Sequence, residues 1–191
     1  MRVYSFQHKN VLDILLKDNI YECTIKSEYR EQAPILYNAL QDLLYSKTGI
    51  SSFPIFGWSK IEKVKDMNIF SEDIILNTFF KVNFDQNTYL CLELDIPDVF
   101  VVEHDFFDFA CYKADEEEYL VSASDLRKFI FDSVCSGENV QACFPIINLE
   151  WLNSAYEYSV TLKDNSFKVK DIKFNKVYSK TNTINKMNSF V

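Results

Sequence analysis

Glycine is nearly absent from this chain: 191 residues contain three, at Gly49, Gly57 and Gly137. Loops that cradle phosphate against backbone N–H groups need glycine, because a Cβ blocks the close approach and the positive φ angles. That scarcity excludes phosphate-binding loops and dinucleotide fingerprints, and it removes the glycine-rich strand-to-helix turns of doubly wound sheets. Four prolines complete a punctuation too sparse for collagen-like or linker-like chains. With 48% hydrophobic and 16% aromatic residues, the chain carries enough apolar surface for a packed core. The length suits one ordinary domain or one domain with an appendage.

Periodicity places the elements. Residues 2–7 alternate as a strand, and Asn10 is a natural cap for a short helix with Val11, Ile14 and Leu15 on one face. Residues 27–48 read as a helix, with Leu36, Leu40, Leu43 and Leu44 in register and Gly49 as its stop; Pro34 either starts or kinks it. Residues 53–58 read as a strand, residues 74–84 and 87–96 as a hairpin, and 99–102 as a further short strand. In the strand through Leu90, Leu92, Leu94 and Ile96, the residues Cys91, Glu93 and Asp95 take the other face. Residues 104–111 and 125–134 read as helices, 140–147 as a strand, and 156–162 with 167–174 as two strands about a turn. Irregular crossovers favour an α+β domain. The expectation is a mixed, mainly antiparallel sheet with three to four helices and a C-terminal β-hairpin. Residues 1–152 form the core domain, 153–178 a hairpin extension packed on it, and 179–191 a flexible tail.

Charge is uneven along the chain. The net charge is −8, which repels nucleic acid and anionic membrane. Between residues 93 and 118 ten acids face one base; between 162 and 191 seven lysines face two acids. Such blocks pair with each other, face different partners, or are solvated faces of a folded domain. An acidic block of this size fits a basic protein surface. A lysine-rich segment with interleaved aromatic residues suits nucleic acid, which the overall charge opposes. No apolar run approaches a membrane span, and residues 1–7 lack the pattern of a signal peptide, so a cytoplasmic protein is expected. Five cysteines without a C-x-x-C pair read as reduced core thiols. Heavy use of Lys, Asn, Ile, Phe and Tyr matches an AT-rich coding genome, bacterial or phage.

No nucleophile or metal motif stands out. Glu103-His104-Asp105 is a tempting ligand cluster, but neighbours on a strand point to opposite faces, so a helix start is the simpler reading and no metal site is assigned. Four strands place a polar or aromatic group where an aliphatic one is usual: Gln7, Trp58, Glu93 and Gln141. An unpaired amide or carboxylate inside a sheet costs about 1–3 kcal/mol. One hydrated pocket shared by at least three of them, facing residues 104–111, would satisfy them together. Separate satisfaction on an exposed sheet face is the plainer alternative.

Segments 3–7, 54–58, 92–98 with Asp105-Phe106, and 141–144 leading to Glu150-Trp151 occur in the order of a bacterial family. In this the chain resembles the family catalogued as domain of unknown function 3841, over roughly residues 1–152. Where members carry Trp-Glu after the Gln-Ala-x-Phe segment, this chain has Pro145-Ile146. The layout is also similar to mono-ADP-ribosyltransferases. That likeness implies an NAD-binding scaffold, active or degenerate, with Gln7, Trp58 and Gln141 as cofactor-binding candidates and Glu93 or Glu150 as the catalytic carboxylate. The alternative is a non-catalytic acidic binding or inhibitor protein acting on a host or defence protein.

Overall fold

The computed structural model describes residues 1–24, 33–60, 89–105, 109, 140–162 and 169–180. Nine strands and two α-helices fall within these residues: β1 Arg2–His8, α1 Lys9–Asp18, β2 Ile20–Glu22, α2 Pro34–Thr48, β3 Ile55–Lys60, β4 Tyr89–Asp95, β5 Val102–Asp105, β6 Val140–Phe144, β7 Ile146–Asn148, β8 Leu152–Leu162 and β9 Val169–Ser179. Seven strands form one sheet in the order β5-β6-β3-β1-β4-β8-β9, and β2 pairs with β7 in a second. The pairs joining them are antiparallel. The architecture is α+β with a mainly antiparallel sheet.

The two faces of the large sheet follow from strand alternation. One face carries Val3, Ile55, Leu90, Leu92, Leu94, Ala142, Phe144, Leu152 and Ala155, which pack with Val11 and Leu15 of α1 and Ile147 of β7. The other carries Phe56, Val102 and Cys143, covered by Leu36, Tyr37, Leu40 and Leu44 of α2 and by Phe109. Helices thus lie on opposite sides of the sheet, α1 on the first face and α2 on the second. Leu152 and Ala155 place β8 in the main core, where it pairs with β4.

Several local expectations change. α1 is capped by His8, whose Nδ1 accepts from the Asn10 N–H, rather than by Asn10; the chain turns out of β1 two residues earlier than an Asn10 cap requires. It ends at Asn19 with φ 63°, a left-handed position asparagine tolerates. α2 begins at Pro34, whose missing N–H is harmless in a first turn, and stops at Gly49 with φ 70°. Residues 98–100 form a 3-10 turn, so the strand expected over 99–102 is displaced to β5. His104 and Asp105 are strand residues rather than a helix start, because His104 is drawn into the core opposite Gln141. The strand expected over 140–147 breaks at Pro145, which cannot donate to a ladder; β6 and β7 enter different sheets. β4 has β1 on one edge and β8 on the other, while the hairpin partner expected over 74–84 lies outside the described residues. So do the helix expected over 125–134, the start of α2 expected near Ser27, and the turn between β8 and β9.

Candidate functional site

The register of the large sheet draws one continuous line across the α2-side face. His104 lies opposite Gln141, Gln141 opposite Trp58, Trp58 opposite Tyr4, Tyr4 opposite Glu93, Glu93 opposite Ser154, and Ser154 opposite Ser179. Directly opposed residues share a face, so Trp58, Glu93 and Gln141 are on the same side of the sheet. Gln7 is three residues from Tyr4 on β1 and opposes Leu90, which puts it on the α1 side. A single pocket holding both Gln7 and Glu93 is therefore excluded by the register. Glu150 belongs to neither face: it is exposed in the 3-10 turn Leu149–Trp151, with its N–H donating to Asn148 Oδ1.

Sharing a face does not bring the three together. Strand spacing of about 4.8 Å sets Glu93 roughly 10 Å from Trp58 and roughly 14 Å from Gln141, Cα to Cα. Their surroundings differ as well. Trp58 is 2% exposed. Gln141 Oε1 accepts from His104 Nε2 at 3.1 Å, and His104 is fully buried. That bond leaves the Nδ1 lone pair facing Cys143 Sγ at 3.8 Å. Burial drives the His104 pKa down to about 4, against the Gln141 hydrogen bond that raises it, so the imidazole is neutral. Burial likewise pushes the Cys143 thiol well above its ordinary value, which removes thiolate character.

Glu93 sits on the interior strand β4, between β1 and β8, with its side chain 15% exposed. Its Oε2 accepts from the Tyr156 hydroxyl at 3.1 Å, and its Oε1 is 3.4 Å from Arg2 Nη1. Arg2 also grips Asp95 through two nitrogens, at 3.2 and 3.3 Å. These bonds hold the Asp95 carboxyl below its usual range, helped by Asn153 Nδ2 at 2.6 Å. Tyr4 beside Glu93 is half-buried; burial first, then the Glu93 charge, raises its pKa to about 12. Lys176 Nζ stands 5.3 Å from the centre of the Tyr156 ring. The result is a charge-alternating chain, Asp95–Arg2–Glu93–Tyr156–Lys176, across β4, β1, β8 and β9. A carboxylate so held can hydrogen-bond a hydroxyl or a cation that displaces Arg2.

On the α1 side, Gln7 Nε2 donates to Ser5 Oγ at 2.8 Å, and Ser5 Oγ donates to the Phe56 carbonyl at 2.6 Å. Ser5 is fully buried among leucines, so the Gln7 amide helps satisfy a core hydroxyl. Sequence reasoning missed Arg2, Tyr4 and Tyr156, which surround Glu93. Parity alone along β1 distinguishes Gln7 from Tyr4, and it was the available signal.

Glu103 and Asp105 share a face of β5 and His104 takes the other. Glu103 Oε1 accepts from Ser59 Oγ at 2.5 Å. Among the described residues no three His, Cys, Asp or Glu side chains gather as a metal site, and no helix is long and apolar enough to cross a membrane. The likenesses to domain of unknown function 3841 and to mono-ADP-ribosyltransferases rest on the sequence motifs. No family model, no curated protein and no solved structure matches this chain.

Proposed function

We propose that the chain works as a binding protein for a basic protein surface. The observation that carries this reading is how its polar strand residues are used. Gln7 is bonded to Ser5, Gln141 to His104, and Glu93 to Tyr156 and Arg2, so each supports the fold. The chain carries −8 overall, and its acidic block opens with the exposed Asp95 and Asp98, which Arg2 and the N-terminal ammonium pair within the fold. A field of this sign accelerates and orients encounter with a basic partner. The test is retention on an immobilised basic protein, lysozyme, against a control protein of equal net charge. Retention above the control at low salt, lost at about 0.5 M salt where screening is short-ranged, supports the reading. It should also weaken when Asp115→Lys, Glu116→Lys, Glu117→Lys and Glu118→Lys are combined. Retention no greater than the control, or indifferent to salt, overturns it.

A second reading keeps the NAD-binding scaffold in reduced form. It rests on Glu93 alone, whose carboxylate can hold a ribose hydroxyl once Arg2 moves aside, because Trp58 is buried and Gln141 is bonded to His104. Gln7 and Glu150 have no part in it, and the catalytic form that needed a pocket containing Gln7 is set aside. On this reading millimolar NAD raises the melting temperature of the wild type and not of Glu93→Gln, by ligand linkage. An unchanged melting temperature removes it.

A further inference from the structure

We draw no further inference here: the strongest candidate, the carboxylate pair Glu93 and Asp95 on β4 that Tyr156 and Asn153 hold around Arg2, belongs to the site already described and is closed by its own ion pairs and hydrogen bonds.

Discussion

His104 shows how one buried side chain sets a pH limit. Its ordinary value of 6.5 falls to about 4 in the folded chain because burial penalises the imidazolium. Above pH 6.5 both folded and unfolded states hold a neutral ring, and the stability is complete. As pH falls below 6.5 the unfolded chain takes up a proton that the folded one refuses, so stability declines until about pH 4. The gap corresponds to a loss of roughly 3 kcal/mol at most. Urea midpoints measured from pH 7 to 5 should fall in the wild type and stay nearly flat in His104→Gln. That stretch lies above the range where Asp95, whose carboxyl is held low by Arg2, begins to lose its contribution. Glu93 supplies a second residue-scale outcome. Tyr156→Phe removes the donor to Oε2 and should cost about 1 kcal/mol, while Glu93→Gln in the Tyr156→Phe background should cost less than it does alone. A thermodynamic cycle from denaturation curves reads this directly.

Among the elements, β3 is the one whose packing depends on a missing side chain. A Cβ on Gly57 would overlap Val3 Cγ1 and press against the Tyr4 carbonyl, because β3 lies against β1 there. Gly57→Ala should destabilise by about 1–3 kcal/mol, through overpacking rather than backbone strain, and Val3→Ala in the same chain should recover part of the loss. β4 was legible in advance, because Leu90, Leu92, Leu94 and Ile96 alternate with polar residues and half the strand's surface is core. α2 was legible from Pro34 onward, since proline opens a helix and Gly49 closes it. β5 was not. Val102, Glu103, His104 and Asp105 alternate correctly, but a histidine in the core reads as polar until its Gln141 and Cys143 partners are known. The same holds for residues 140–147, where Pro145 ends one strand and the change of sheet at β7 depends on β2.

At the scale of the whole molecule, the C-terminal strands decide whether the rest can stand alone. β8 covers the open edge of β4 and adds Leu152 and Ala155 to the core. A chain ending at Trp151 leaves that edge and the apolar residues beside it unpartnered, so it should lose cooperative thermal unfolding and the amide-exchange protection of β4. A truncated chain that unfolds with the full-length midpoint would place the stability elsewhere. The sequence by itself determined the class of architecture, the alternation on β4, the placement of α2 and the strong acidity, because these depend on spacing and composition along a single stretch of chain. Only the tertiary structure decided the order of the strands, and with it the candidate site. Which residues share a face depends on the register between strands far apart in sequence: a one-residue difference in parity separates Gln7 from Tyr4, and pairing alone puts Arg2 and Tyr156 on either side of Glu93.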